Sequence, residues 1–353
     1  MKVGDRMVLA GDLHCHVRPP DAGYHVSRML PETIALAEQE NLDWVILTPH
    51  VPARFYMSPD IRWWTQTVLG ELKRAADATK TAVIVIPGFE YTDFRYGHVG
   101  AGFADLDAVL ADVPVDAAMA RPELFFEQWI AHGGHLTINH PVLRPLAIAP
   151  IGELRADLSW RGFTLPDVPP EIAWITTHAQ SLEIYNLEVS QLRDRIFLGD
   201  ESRSIREASH LLDAQILGQK RRFGAVAGSD SHGHWLRADT FVLAKARTAA
   251  SIHDALVEGR TCVRGPEACT LEARTIGGAW VGVGDAIAPT DAIEVRAAGG
   301  PVTIYRSGAS AITSASGATT RIDVPRDRCS VLRAVVGESF SAPIYVGCAF
   351  AAP

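Results

Sequence analysis

Near its N-terminus the chain reads Met7-Val8-Leu9-Ala10-Gly11-Asp12-Leu13-His14-Cys15-His16. The apolar start of this stretch predicts a short buried strand, and alternate residues of a strand point to the same side. His14 and His16 therefore share one face at the end of the strand, where two imidazoles can bind one metal ion. Taken alone, the pair is better explained as two polar residues leaving a strand. Similar stretches further along the chain favour the metal interpretation.

Apolar runs that predict buried strands alternate with helical patterns over the first 260 or so residues. The predicted strands are 44–47, 82–86, 135–138, 182–186 and 223–227, and the predicted helices are 31–39, 60–78, 122–132 and 202–217. Several strands run directly into residues that can bind metals, namely His50, Glu90, His140, Asp230 and His232, and His98 follows in a predicted loop. Alternating strands and helices predict a parallel sheet closed into a TIM-like barrel, with its chemistry at the C-terminal strand ends.

The pattern changes at about Gly265, where helical periodicity gives way to short alternating runs separated by turns. These runs are 271–276, 292–298, 302–306, 320–324, 331–336 and 344–348. They predict a small antiparallel β-sandwich, and because this part contains no histidine we assign no chemistry to it. We therefore predict two domains, 1–264 and 265–353. The stretch 142–180 has little periodicity and is predicted to be a long functional loop with a short helix.

Composition excludes several functional classes. The 353 residues carry 33 basic and 41 acidic side chains, a net charge of −8, with no Lys/Arg-rich run, which argues against a general nucleic-acid surface. No apolar stretch approaches membrane-spanning length, and the N-terminus has no apolar signal core. The five scattered cysteines predict a reducing compartment without a disulfide framework. Together these features predict a soluble, cytoplasmic protein.

These stretches together resemble the PHP (polymerase and histidinol phosphatase) superfamily of metallohydrolases, and in particular its carbaryl-hydrolase-like branch. The matching stretches are Asp12–His16, Thr48–His50, Gly88–Glu90, Gly97–Val99, Asn139–Pro141, Glu183–Asn186, Gly228–His232, Gly259–Thr261 and Gly265-Pro266. The resemblance implies an α/β fold with a distorted (β/α)7 PHP-type barrel and a C-terminal antiparallel β-sandwich.

The resemblance also implies a cluster of two or three divalent metal ions. The first would be held by His14, His16, Glu90 and Asp230; the second by Glu90, His98 and His140; the third by Asp21, His50 and His232. The family usually has an acidic residue where Pro49 stands, which bears on the orientation of His50 and so on the third site. Six histidines and three carboxylates without a thiolate form a ligand set that suits Zn, Mn or Fe.

A metal cluster of this kind predicts a hydrolase. Water bridging two metal ions becomes a hydroxide at neutral pH, and the metal charge favours a small anionic substrate. We expect a phosphoesterase acting on a mono- or diester, in which Arg18 or Arg144 holds the substrate and His234 is a candidate catalytic residue. No nucleic acid, membrane or named protein partner is expected, and the oligomeric state is left open.

Two alternative functions remain open at this stage. The first is hydrolysis of a carbamate, amide or carboxylic ester, which needs a larger apolar wall and fewer cations around the metals. Residues that could form such a wall are Phe55, Tyr56, Trp63, Trp64 and Trp160. The second is a non-catalytic metal- or ligand-binding module.

Overall fold

The structure is a computed structural model that describes residues 1–148, 150–153 and 157–350. Positions 149 and 154–156 of the predicted loop 142–180, and positions 351–353 of the second predicted domain, lie outside the described residues. Thirteen strands precede the predicted domain boundary: β1 (Lys2–Val3), β2 (Arg6–Cys15), β3 (Trp44–Leu47), β4 (His50–Pro52), β5 (Ile84–Asp93), β6 (Gly97–Gly102), β7 (His135–Ile138), β8 (Ala147–Ile148), β9 (Gly152–Glu153), β10 (Ser181–Asn186), β11 (Gly224–Gly228), β12 (Thr240–Ala244) and β13 (Thr261–Val263).

Helices fill most of the connections between these strands. They are α1 (Leu30–Gln39), α2 (Pro59–Ala78), α3 (Leu106–Asp112), α4 (Val115–Ala120), α5 (Leu124–Ala131), α6 (Pro170–His178), α7 (Leu187–Val189), α8 (Arg203–Gln219) and α9 (Ala249–Val257). Short 3-10 helices cover Phe55–Met57, Arg161–Phe163 and Glu267–Thr270, and a π-helix covers Ser190–Leu198. Among the described residues no helix combines the length and the apolar character needed to span a membrane.

The first half of the chain forms a curled, mixed sheet. β2, β3 and β5 are parallel neighbours, and so are β7, β10 and β11. β6 runs antiparallel between β5 and β7, and β12 runs antiparallel beside β2. The prediction of a wholly parallel barrel is therefore wrong, whereas an α/β fold with a curled, barrel-like sheet is confirmed.

The antiparallel direction of β6 follows from the length of its connection. Only 94–96 separate β5 from β6, which is too short for the crossover that parallel neighbours require. The carboxylate of Asp93 fixes this turn by accepting hydrogen bonds from the backbone N–H groups of Arg95 (2.8 Å) and Tyr96 (3.0 Å). The sequence-based prediction of a loop at Gly97 missed this strand because its glycines and alanine lack a strand signature.

The sheet curls until β11 lies against β2. The backbone N–H of Asp230 donates to the carbonyl of His14 (2.7 Å), and the N–H of His16 donates to the carbonyl of Ser231 (3.1 Å). A single parallel bridge joins Cys15 to Ser231 at the same place. Cys15 is fully buried. The loop after β2 and the loop after β11 are therefore in direct contact.

Ten further strands follow the boundary: β14 (Glu272–Thr275), β15 (Val281–Gly282), β16 (Ala286–Ile287), β17 (Ala292–Arg296), β18 (Val302–Arg306), β19 (Ile312–Ser314), β20 (Thr320–Asp323), β21 (Ser330–Val336), β22 (Ser339–Ser341) and β23 (Ile344–Val346). β14, β15, β17 and β20 form a separate antiparallel sheet. Its buried residues share one hydrophobic cluster with those of β18, β21 and β23, an arrangement compatible with the expected sandwich. β22 pairs with β13, so strand pairing continues across the predicted boundary at 264.

Two disulfides contradict the prediction that the chain has no disulfide framework. Cys262 pairs with Cys269 (Cα atoms 5.4 Å apart), and Cys329 pairs with Cys348 (Cα atoms 4.3 Å apart). The second pair could not be predicted from local sequence, because Cys329 and Cys348 are brought together by the antiparallel pairing of β21 with β23. Cys15 is the free cysteine among the described residues.

Candidate metal centre

The residues predicted to bind metal come from seven separate elements. His14 and His16 lie at the end of β2, His50 begins β4, Glu90 lies in β5, and His98 lies in β6. His140 follows β7, Asp230 and His232 follow β11, and Asp21 lies in the loop after β2. The side chains of all nine lie close together at one edge of the curled sheet.

Glu90 lies at the centre of the cluster. Its Oε1 is 3.1 Å from His14 Nε2, 3.3 Å from His98 Nδ1 and 3.6 Å from His140 Nε2. Its Oε2 is 3.4 Å from His50 Nε2. One buried carboxylate therefore contacts histidines that the resemblance assigns to three different metal sites.

Asp230 forms a second centre on the side of β11. Its Oδ1 lies 3.2 Å from His16 Nε2 and 3.4 Å from His14 Nε2. The side-chain amide of Asn186 donates to its Oδ2 (3.1 Å). Asp230 also has a backbone φ of +52°, and His140 has one of +26°. Non-glycine residues rarely adopt these values, and such strain is concentrated at functional sites.

Four groups of side chains each place their ligand atoms within 4.8 Å of one another. They are His14, His16 and Asp230; Glu90, His98 and His140; His16, His50 and His232; and Glu188, Asp230 and His232. The first two groups correspond to the first and second expected sites. The third group contains His50 and His232 of the third expected site but not Asp21, and the fourth joins Glu188 to His232 and Asp230.

Asp21 contacts the imidazoles of His16 and His50 through their Nδ1 atoms. Its Oδ2 is 3.2 Å from His16 Nδ1, and its Oδ1 is 3.0 Å from His50 Nδ1. The same Oδ1 accepts a hydrogen bond from the backbone N–H of His50 (3.0 Å). In this arrangement Asp21 orients His16 and His50 so that their Nε2 atoms face the centre, which is the usual role of a carboxylate behind a metal-binding histidine.

Sequence analysis missed two glutamates of the site. Glu188 Oε2 lies 3.2 Å from His232 Nδ1, and Glu183 Oε1 lies 3.1 Å from His14 Nδ1. Glu183 also accepts a hydrogen bond from the backbone N–H of His140 (2.6 Å). Glu183 lies in a predicted strand, within the stretch Glu183–Asn186 that resembles the family, which was a usable signal. Glu188 follows β10 in a short helix and carried none.

Other buried polar side chains form hydrogen bonds with the residues and loops of the cluster. Asn139 donates from its side-chain amide to Glu90 Oε1 (2.8 Å). The fully buried Arg28 donates to the carbonyl of His16 (3.0 Å) and to the hydroxyl of Ser231 (2.9 Å). Arg28 therefore joins the loop after β2 to the loop after β11. Nothing in the sequence distinguished this arginine from a surface residue.

The donor atoms of the cluster fit divalent metal ions. Ring nitrogens of His98 (Nε2), His140 (Nδ1) and His232 (Nε2) are buried and have no hydrogen-bond partner among the described residues. Such atoms are costly to bury unless something binds them. The set consists of imidazole nitrogens and carboxylate oxygens, the ligands that Zn, Mn and Fe accept.

The electrostatics of the cluster also favour a cation. Burial opposes ionisation of Glu90 and Asp230, but nearby histidines, chiefly His98 and His14 for Glu90 and His14 for Asp230, hold the pKa of both carboxyls well below the usual range. Conversely, although burial opposes the charged imidazole, Asp230, Glu183 and Glu90 raise the pKa of His14 well above its ordinary value. The cluster therefore attracts positive charge, and a divalent ion can supply it in place of protons.

A cavity of about 530 Å³ opens over this cluster. The residues that line it are Asp21, Ala22, Tyr24, His25, His50, Pro52, Glu90, Thr92, Phe94, His98, His140, Leu143, Leu158, Glu188, Asp230 and His232. None of the described residues that line this cavity is a lysine or an arginine. The positive charge in the cavity would therefore come from bound metal ions.

The three side chains predicted to contact substrate do not line this cavity. The Nε of Arg18 donates to the carbonyl of Ser27 (3.1 Å), which holds the side chain along its own loop. Arg144 lines a different cavity of about 360 Å³, together with Arg161 and His210. His234 is exposed and is not among the residues around the site.

The proposed aromatic wall is also misplaced. Phe55, Tyr56 and Trp160 are buried in the core, and Trp63 and Trp64 are exposed on α2 away from the cavity lining. The periodicity of a sequence predicts which side of a helix or strand a side chain lies on, but it does not predict which helix or strand faces the site. The apolar residues around the cavity instead come from loops.

Fold and site together define an α/β protein with a curled sheet and a candidate multinuclear metal centre. No protein-family model and no curated protein matches this chain. Three solved structures illustrate what it is similar to in fold. One is a two-domain protein from Bacteroides vulgatus containing a predicted PHP-like metal-dependent phosphoesterase, at 15% identity and a TM-score of 0.47, with 99% of this chain and 95% of that chain covered.

The second is the lesion-specific endonuclease PfuEndoQ from Pyrococcus furiosus, at 15% identity and a TM-score of 0.42, covering 78% of this chain and 64% of that chain. The third is PsfC from Pseudomonas syringae, at 15% identity and a TM-score of 0.38, covering 69% and 82%. Endonuclease Q has also been solved with a duplex substrate. The expectation that nucleic acid is not a partner therefore gains no support from these comparisons, and the carbaryl-hydrolase-like branch is not among them.

Proposed function

We propose that this protein is a metal-dependent hydrolase of PHP type that cleaves a phosphoester in a small molecule. The observation that carries the proposal is the position of Glu90, whose carboxylate lies within 3.6 Å of four imidazoles at the floor of one open cavity. A shared carboxylate between neighbouring histidine groups is the arrangement that a bridged metal pair requires. The domain division at 264 and a filled third site are parts of the same proposal.

The residues of the chain would hold and orient the metal ions. His14, His16 and Asp230 would bind one ion, and Glu90, His98 and His140 a second. His50 and His232 would bind a third, and Glu188, which groups with His232 and Asp230, would be the acidic partner of His232. Bound Zn, Mn or Fe would polarise the phosphoryl oxygen and lower the pKa of water. Asp21 and Glu183 would keep the imidazoles of His16, His50 and His14 in their binding orientation.

A specific observation favours a second candidate, hydrolysis of a carbamate, amide or carboxylic ester. The cavity lining has no lysine or arginine among its described residues, and the site contains the additional carboxylates Glu183 and Glu188. With these two carboxylates added to the three that were expected, the net positive charge of a site loaded with three metal ions is lower. This weakens the argument for a doubly charged phosphomonoester and favours a singly charged diester or a neutral ester.

Turnover of a small panel by metal-loaded protein tests both candidates. The panel contains p-nitrophenyl phosphate, bis-p-nitrophenyl phosphate and a p-nitrophenyl carbamate, and bound metal is counted by mass spectrometry on the same sample. We expect turnover of the diester with two or three metals bound. Turnover of the carbamate alone would replace the leading proposal by the second candidate.

A matched pair of variants distinguishes turnover at the proposed metal site from turnover by a contaminating enzyme. Glu90→Gln should lower turnover by more than about 100-fold and reduce the metal count, because outer partners of metal ligands alone cost 10- to 100-fold. Glu338→Gln, whose side chain is 74% exposed, serves as the control and should behave like the wild type. Protein that contains no metal when purified without chelator would contradict the proposal and favour a non-catalytic module.

A further inference from the structure

Two large aromatic side chains stand exposed at the mouth of the cavity. Tyr24 is 94% exposed and Phe94 is 77% exposed, and both line the cavity over the metal centre. Exposed aromatic rings are costly to keep in contact with water, and side chains of this kind beside a functional cavity are characteristic of contact surfaces. Among the other described aromatic residues, Phe55, Phe89 and Phe125 are buried, whereas Trp63 (69%) and Phe197 (50%) are exposed but do not line this cavity.

The two rings stand next to different parts of the metal centre. Tyr24 precedes His25, whose ring centroid lies 4.9 Å from that of His50 and 4.5 Å from that of His232. The Phe94 ring lies 6.1 Å from the ring of His98. Tyr24 is therefore on the side of the third expected metal site and Phe94 on the side of the second. A group bound above the centre has an aromatic residue on either side.

The backbone that carries each ring is fixed. The N–H groups of His25 and Val26 both donate to the carbonyl of Ala22 (2.9 Å), and the N–H of Ser27 donates to the carbonyl of His232 (3.0 Å). The turn that carries Phe94 is held by the carboxylate of Asp93. The rings thus project from hydrogen-bonded turns, so little backbone freedom is lost when they contact a ligand.

The remaining lining shows what the rings can bind. Pro52, Leu143 and Leu158 extend the apolar surface, and the described lining offers no lysine or arginine. An anionic group at the mouth would therefore find no lysine or arginine side chain to pair with. A flat apolar ring would be covered on its faces or edges by Tyr24 and Phe94.

We propose that the substrate carries an aromatic ring next to the bond that is cleaved, and that Tyr24 and Phe94 bind this ring. The inference rests on the proposed metal-dependent hydrolysis and adds the class of substrate to it. Tyr24 and Phe94 act here as specificity-determining residues that touch the substrate without taking part in bond cleavage.

Binding of stable ligands to manganese-loaded protein tests this proposal without turnover. Two matched pairs are titrated by calorimetry: phenylphosphonate against methylphosphonate, and benzohydroxamate against acetohydroxamate. Within each pair the metal-binding group is the same and only the ring differs. We expect the aromatic member to bind roughly tenfold tighter, and Tyr24→Ala and Phe94→Ala each to lower this preference about threefold or more.

Two further variants serve as controls. Tyr24→Phe keeps the ring and should keep the preference. Trp63→Ala removes a 69% exposed aromatic side chain that does not line the cavity and should leave all four affinities unchanged. Equal affinity within both pairs, or an unchanged preference in both alanine variants, would overturn the proposal.

The two pairs separate failure of this inference from failure of the proposed function. If the phosphonates fail to bind but benzohydroxamate is preferred over acetohydroxamate, the aromatic site stands and phosphoester hydrolysis fails. If both pairs bind without a preference for the aromatic member, the metal centre stands and the aromatic site fails. If none of the four ligands binds, the metal centre itself is contradicted, and both proposals fall together.

Discussion

Glu90 and Asp230 are buried carboxylates that each contact at least two imidazoles. Such charges are stable inside a protein only where opposite charges or metal ions compensate them. In this chain the compensation comes from histidines collected from several strands. At the scale of single residues, these two acidic side chains are therefore the points around which the histidines of the candidate site gather.

Glu188 provides a direct test at this scale. Its carboxylate lies 3.2 Å from His232 Nδ1 and belongs to a group that can hold a metal ion with Asp230. We expect Glu188→Gln to lower metal retention at one site by about 10- to 100-fold while the other ions remain bound. Metal counted after dialysis against a graded series of chelator concentrations measures this. Unchanged retention would show that Glu188 only lines the cavity.

His135 lies away from the metal centre and predicts a pH effect on stability. Burial, with a smaller effect of His253, lowers the pKa of His135 from 6.5 to about 3. The unfolded chain therefore takes up a proton below pH 6.5 that the folded chain does not bind. Stability is full above pH 6.5 and falls as the pH is lowered from 6.5 to about 3, by an amount on the order of 4 kcal/mol.

Urea unfolding of metal-free protein at several pH values between 4 and 7 measures this effect. His135→Gln cannot take up the proton, so its free energy of unfolding should change less steeply with pH than that of the wild type. His178→Gln, on an exposed side chain, is the control. Parallel pH curves for the wild type and His135→Gln would contradict the prediction.

At the scale of elements, the site depends on close contact between β2 and β11. A Cβ atom on Gly228, the last residue of β11, would overlap the Cβ of His14 and lie 2.9 Å from Glu183 Oε1. No side chain other than hydrogen fits between these strands. The position of β11 is therefore coupled to the position of the first metal-binding histidine.

Substitution of Gly228 tests this coupling. Gly228→Ala should displace His14, reduce bound metal and lower the free energy of unfolding by about 1–3 kcal/mol. Gly218→Ala is the matched control, because a Cβ at Gly218 in α8 meets nothing within 4 Å and alanine favours a helix. Calorimetry and metal counting measure both variants. Wild-type metal content in Gly228→Ala would show that the strands can separate without loss of the site.

At the scale of the whole molecule, metal binding and folding are linked. The centre joins loops after β2 and β11 with residues of β4, β5, β6 and the end of β7, so an ion bound there stabilises the closed form of the sheet. A ligand that binds only the folded state raises its stability, by about 2.7 kcal/mol at a concentration of 100 times its dissociation constant.

Removal of metal by a chelator should therefore lower the melting temperature by roughly 5–10 °C. Addition of Mn or Zn should restore it. Differential scanning calorimetry of the same sample before and after dialysis measures the change, with the double variant Glu90→Gln, Asp230→Asn as a control that should not respond to added metal. A chelator-treated protein that contains no metal yet melts at the original temperature would contradict this linkage.

The sequence by itself determined the α/β class, most strand and helix positions, and the set of metal-binding residue types. Buried strands such as Trp44–Leu47 and His135–Ile138 were predicted at their observed bounds because continuous apolar runs are a local signal. Most of the histidines and carboxylates follow such strands, and the resemblance to a known family implied the full set of nine. The structure brings all nine together at one edge of the sheet.

Only the tertiary structure decided which residues surround the metal centre. The antiparallel β6, the partners Glu183 and Glu188, the buried Arg28 and the exposed Tyr24 and Phe94 depend on contacts between residues far apart in the chain. Arg18, Arg144 and His234 follow metal-binding residues closely in sequence yet point elsewhere, because the loops that carry them turn away from the cavity. Local patterns define elements and residue chemistry, whereas the surroundings of a site are set by how the elements pack.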